Sequence, residues 1–336
     1  MTPKGDRRRG NWFARLLRER TVQAGIVVWV AFSGAIPFLS RGTVPFNRPS
    51  LAGLSYRAEV LAEILGPVIA FVFIAVGWAL TRRRTIPDIA ARIPEKPIAL
   101  RETVGLILYG AVVLIAGQFV GRLVGTHGIG LHLPGSMFGL SDAVTPREAY
   151  AWSVYNFVFY AAIPYLVFRI RGYSREALCL KSSNLRNDTL VILVILAMTC
   201  LGGLLRGLTP RQLSVAGGLA LALSLLGTGL PIMIFLCAIL VPRFKRLTGS
   251  TASAVVLGGF TYAGLHLADS WTRYDTLAHG ALSVIFIVLL YGGPGLVKAY
   301  LTLRTGNAWV HLWGYHVIAP HVTTDTPIFA HIFRLR

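Results

Sequence analysis

The sequence predicts an all-α, polytopic helical membrane protein of about eight to nine transmembrane helices, and three observations carry that expectation. The 336 residues are 54% hydrophobic and only 14% charged, with a mean hydropathy of +0.61, outside the usual composition of soluble globular chains. Apolar blocks long enough to cross about 30 Å of hydrocarbon recur along the chain. Lysine and arginine collect between those blocks, at Lys4–Arg20, Arg82–Arg101, Arg169–Arg186 and Arg243–Arg246. Hydrocarbon offers no partner to an open backbone group, so the blocks should be helices. They do not alternate with period two, which excludes an outer-membrane barrel.

Residues 1–21 form a basic segment expected in the cytoplasm. No small-residue cleavage site follows the first apolar block, so 22–40 reads as a retained span. Spans at 60–80, 103–125 and 149–170 complete an N-terminal four-helix membrane region, 22–170. A charged connector, 171–188, leads to a C-terminal membrane region, 189–336, with spans at 189–207, 215–242, 251–268, 281–303 and 308–321. The first three inner segments hold seven, six and five basic residues, against three, two and two in the outer ones. That asymmetry places the N-terminus on the cytoplasmic side of an inner, or cytoplasmic, cell membrane. The excess of 28 arginines over five lysines points to a GC-rich, bacterial coding sequence.

The net charge of +19 lies at span ends rather than on a face, so membrane lipids are the expected partners and nucleic acid is not. Cys179, Cys200 and Cys237 form no motif and read as small buried hydrophobes. Block 215–242 contains Gly227-Thr228-Gly229 and Pro231, so it is either one kinked helix or two elements. Gly292-Gly293-Pro294-Gly295 is a second candidate break. Segment 126–147 is rich in Gly and Pro and reads as an outer loop, with His127 and His132 as exposed loop residues.

Ionisable side chains inside spans are candidates for function. After Asp188 the only acids are Asp269, Asp275 and Asp325, whereas six of the eight histidines lie there. In "FTYAGLHLADSW", Tyr262 and His266 stand i,i+4 and His266 and Asp269 i,i+3, so all three can share a helix face. A histidine beside a carboxylate suits metal ligation or acid–base work, and also suits a plain interfacial hydrogen bond. In "NAWVHLWGYHVIAPH", His311, His316 and His321 are five apart, about 140° around a regular helix, and cannot share one face. His316, and with it His321, is expected to face His266, and His311 to play a packing or polar-contact part. His321 is expected at or beyond a kink at Pro320.

These stretches resemble the CAAX-protease and bacteriocin-processing (CPBP) family of intramembrane endopeptidases. Tyr262-Ala-Gly-Leu-His266 matches the family's aromatic-x-x-x-His motif. "RTGNAWVHLWGYH" is similar to its late-helix lead-in, with His316 as the third-motif histidine; His321-Val-Thr-Thr-Asp325 is the rival match. The family's first motif, Glu-Glu-x-x-x-Arg, falls on Ile232, Met233 and Cys237, so its glutamate pair is absent. The resemblance implies an intramembrane peptidase, a hydrolase with His266, His316, His321, Asp269, Asp325 and Tyr262 at its site. The three histidines, with an aspartate, would also make an acceptable Zn2+ set. Its substrate would be a membrane-associated peptide or protein. Three readings stay open: such an enzyme, a catalytically inactive relative that binds a membrane protein or lipid-linked peptide, and a transporter-like protein with a histidine-lined polar path. Oligomeric state is not legible in the sequence.

Overall fold

The computed structural model describes residues 16–46, 53–136, 144–204 and 215–335. Among them there is helix and no strand, as the composition requires. The main helices are α1 (Arg20–Ser40), α2 (Tyr56–Thr81), α3 (Lys96–Leu123), α4 (Pro146–Ile170), α5 (Leu185–Leu204), α6 (Val215–Thr248), α7 (Thr251–Gly264), α8 (Leu277–Thr305) and a composite α9 over 309–332. Six of these, α1, α2, α3, α4, α6 and α8, are long and apolar enough to cross a membrane. Their outer faces are apolar: Phe38, Phe71, Leu108 and Phe119 are each more than half exposed. Such a belt suits a lipid environment rather than water.

Of the two alternatives for 215–242 the structure takes the single helix, and the candidate break at Gly292–Gly295 is corrected. Helix α6 runs unbroken through Gly227-Thr228-Gly229 and Pro231, by widening into π-helical turns at Leu225–Gly229 and Ile232–Leu240. Helix α8 likewise continues through Gly292-Gly293-Pro294-Gly295. The glycines serve close approach instead. A Cβ at Gly295 would lie 2.8 Å from both Gly259 Cα and Tyr262 Cβ, and one at Gly293 would lie 3.0 Å from the Gly66 carbonyl oxygen. A Cβ at Gly227 would lie 2.3 Å from the Trp152 ring. Lipid tails are as apolar as leucine, so helices gain from close van der Waals contact, which small residues allow.

Polar knots tie the helix ends where the basic segments lie. The Arg84 guanidinium pairs with the Asp188 carboxylate and donates to the Thr305 carbonyl oxygen (2.6 Å), while Asn307 Nδ2 donates to Asp188 (2.9 Å). This fastens α2, α5, α8 and the start of α9 together. Nearby, fully buried Arg243 of α6 pairs with Glu102 of α3 at 2.7 Å, and its guanidinium lies 4.2 Å from the Phe168 ring centroid. Tyr173 Oη also donates to Glu102 (2.8 Å).

The segment after α3 departs from its expected character. His127 is half-exposed and pairs with Glu148 (2.7 Å), but the chain from Ile129 to Ser136 is buried. It folds back into the bundle without helical bonds, so its backbone needs other partners. Asn156 Nδ2 donates to the Gly130 carbonyl (3.0 Å), Trp152 Nε1 to that of Leu131 (3.0 Å), and Gln118 Nε2 to that of Ile129 (3.1 Å). Ile129 N–H in turn donates to the Gly117 carbonyl (3.0 Å). The fit against α3 depends on glycine, because a Cβ at Gly117 would sit 2.5 Å from the Ile129 oxygen. Gly117→Val is therefore expected to expel this segment while the helices persist. Limited proteolysis should then cut within 126–136 at least tenfold faster than in the parent; an unchanged cleavage rate would show that the segment is not held by this contact.

Candidate functional site

Helix α7 ends at Gly264, not beyond Asp269 as a single amphipathic helix would require. Its continuation is a series of tight turns, with N–H groups of His266, Asp269 and Thr272 bonded to the carbonyls of Ala263, His266 and Asp269. The turns still deliver Tyr262, His266 and Asp269 to one place, and all three are buried. His266 Nδ1 donates to the Tyr262 carbonyl at 2.6 Å. That bond fixes the tautomer and leaves Nε2 as the acceptor. His266 Nε2 is buried and has no hydrogen-bond partner.

The residue that meets it is His132, from the buried segment after α3. Its ring centroid is 4.7 Å from that of His266, and its Nδ1 is 3.0 Å from Asp269 Oδ2. The His132 backbone N–H donates to Asp269 Oδ1 (3.3 Å), and Tyr291 Oη of α8 donates to Oδ2 (2.9 Å). Tyr291 also stacks on the His266 ring, with centroids 3.6 Å apart. His132, His266 and Asp269 each offer a ligand atom, all within 4.8 Å of one another. The expectation that His132 is an exposed loop residue is thus overturned: it is 3% exposed and central. A signal was present in the sequence. Ile129, Leu131 and Leu133 surround the histidine at period two, and an aqueous loop has no use for three such side chains.

The three late histidines are brought into line by a departure from regular helix. Within α9, Leu312–His316 and Ile318–Val322 are π-helical, with Val317 N–H bonded to the Leu312 carbonyl (3.0 Å) and Val322 N–H to that of Val317 (3.3 Å). Bonding from i to i+5 makes a spacing of five close to one turn. His311 and His316 consequently lie 6.0 Å apart, and His316 and His321 5.6 Å, between ring centroids. The file continues from His321 to His132 at 5.6 Å. His321 Nδ1 is 3.2 Å from Asp325 Oδ2, and both residues are buried. His316 does not reach the trio: it and His266 each stand edge-on to the Tyr262 ring, at 6.2 and 4.5 Å. Both nitrogens of His316 and of His311 are buried without a partner.

A cavity of about 310 Å³ opens beside this file, lined among others by His132, His316, His321, Tyr262, Tyr291 and Lys298. Ile232, Met233 and Cys237, where the resemblance expects the glutamate pair and arginine, are buried apolar residues of α6. Asp275, the remaining late acid, is about half exposed and pairs with His279 (2.8 Å) and Arg273 (2.8 Å). The hydrogen bond from His279 holds its carboxyl below the usual range, and it takes no part in the cluster. No known family model, curated protein or solved structure matches the chain.

Proposed function

We propose that the protein is a membrane-embedded hydrolase of the intramembrane peptidase type, as the motif resemblance implies, acting on membrane-associated peptides or proteins. The observation that carries the reading is the convergence of His132, His266 and Asp269 from two separate parts of the chain in the buried interior. Buried polar groups are costly there and are retained where they work. The reading includes eight to nine membrane segments, an inner-membrane location and a cytoplasmic N-terminus, which the clustering of basic residues supports.

The donor set fits zinc, which takes imidazole nitrogen and carboxylate oxygen at about 2.0–2.2 Å. An unpartnered imidazole nitrogen in the interior is what such an ion would satisfy, and the spread of donor atoms closes with shifts of about an ångström. His132, His266 and Asp269 would hold the ion, which would supply Lewis-acid polarisation of a carbonyl oxygen. The protein supplies the rest. Tyr262 and Tyr291 orient His266 and Asp269 as outer-shell partners. His321 takes the place of the absent glutamate as proton acceptor: with Nδ1 engaged by Asp325, it takes the proton of attacking water at Nε2 and returns it to the leaving amine.

The two roles separate by experiment. Purified parent protein should carry about one zinc per chain by elemental analysis and cleave a transmembrane peptide. His266→Ala should lose both metal and cleavage, whereas His321→Ala should keep the metal and lose cleavage by about 10²–10⁴-fold. Equal metal content in parent and His266→Ala, or cleavage unaffected by either change, would refute the assignment.

A further inference from the structure

Lys298 of α8 is 2% exposed and lines the same cavity. Its ammonium lies 3.7 Å from the Tyr262 ring centroid and 5.6 Å from that of Tyr315. Among the described residues no carboxylate lies within ion-pair distance of it. The neighbouring wall of α6, with Cys237 and the apolar residues before it, offers no counter-charge either. Aromatic rings soften a buried ammonium but do not neutralise it. A charge taken out of water needs a paired opposite charge.

His316, beside it on the cavity wall, presents a second unmet need. A neutral imidazole carries one N–H donor, and here neither ring nitrogen finds a partner. One ammonium and one imidazole N–H therefore point to a missing acceptor of negative charge. The remaining walls include Phe73, Met198 and Leu290, which suit a hydrocarbon chain rather than a free ion.

We propose that this cavity binds an anionic amphiphile, a lipid-like molecule with one carboxylate or phosphate on an acyl chain, its head held by Lys298 and His316. Lys298 supplies the charge, His316 a directed hydrogen bond, and the apolar wall the affinity for the chain. The site goes beyond the hydrolytic reading, because binding is measured without turnover and needs no metal.

The test uses full-length protein in neutral detergent and four probes: oleate, oleyl phosphate, oleic acid methyl ester and inorganic phosphate. Oleate or oleyl phosphate should bind at least tenfold more tightly than the ester, and inorganic phosphate should bind weakly. The preference between the two anions distinguishes a carboxylate ligand from a phosphate one. Lys298→Met should abolish the preference over the ester, and Lys298→Arg should keep most of it. The ester comparison on the parent protein decides the matter even where a variant fails to fold. Equal binding of oleate, oleyl phosphate and ester, binding of none, tight binding of inorganic phosphate alone, or an unchanged preference in Lys298→Met would each overturn the proposal. A C-terminal hydrophobic peptide that displaces oleate while its amide does not, at lower concentration than any lipid probe, would also overturn it by identifying a peptide ligand.

Discussion

Replacing His132 by alanine is expected to lower peptide cleavage by about 10²–10⁴-fold and to strip the metal, as severely as His266→Ala. The residue sits in none of the three motifs of the resemblance, so the expectation comes from geometry alone. Its Nδ1 faces Asp269 at 3.0 Å and its ring lies between those of His266 and His321, at 4.7 and 5.6 Å. Removing it breaks the donor set and leaves a buried carboxylate short of a partner. Losing an outer-shell partner alone commonly costs about one to two orders of magnitude in metal affinity or activity, and losing the ligand itself costs more. Cleavage assays and elemental analysis on the same preparations check both halves. A variant that cleaves at the parent rate would remove His132 from the site.

The largest expected effect on stability is at Glu102→Ala. Arg243 is 0% exposed, and its charge is met by Glu102 at 2.7 Å. Removing one partner of a buried pair leaves the other charge without compensation, which typically costs about 3–5 kcal/mol. The protein should unfold at markedly lower denaturant or temperature in detergent. The double change Glu102→Leu, Arg243→Met should recover much of the loss, because two apolar groups need no pairing. If the double variant is no better than Glu102→Ala, the cost lies in packing against Phe168 and Tyr173 and not in charge.

Much of the bundle was legible in the sequence because hydrocarbon imposes a simple rule. Apolar runs and basic margins gave the helices at 22–40, 60–80, 103–125 and 149–170 to within a few residues at most ends, though α3 begins earlier, at Lys96. What the pattern did not resolve was the local departures from regular helix. A spacing of five looked incompatible with one face only because an α-helical turn was assumed. The i to i+5 turns of 312–322 bring His311, His316 and His321 into one file. Glycine runs looked like breaks, but glycine both loosens a helix and admits a neighbour, and only the neighbour's position distinguishes the two. Tyr262, His266, Asp269, His321 and Asp325 were visible as polar groups in apolar surroundings. His132 was obscured by the Gly- and Pro-rich stretch around it, whose backbone partners Gln118, Trp152 and Asn156 are side chains of the two flanking helices, α3 and α4.

The widened turns of α9 also bear on how such a row of rings can arise and be lost. One extra residue accommodated in a helical turn leaves both ends of the helix where they were, so the row can be assembled by insertion without disturbing the flanking contacts. The converse holds for deletion. Returning 312–316 to the ordinary pitch with every residue kept would instead rotate everything downstream by about 100°. The alignment of imidazoles therefore depends on the widened turns as strictly as on the histidines themselves, and a change that alters no histidine can still dismantle it.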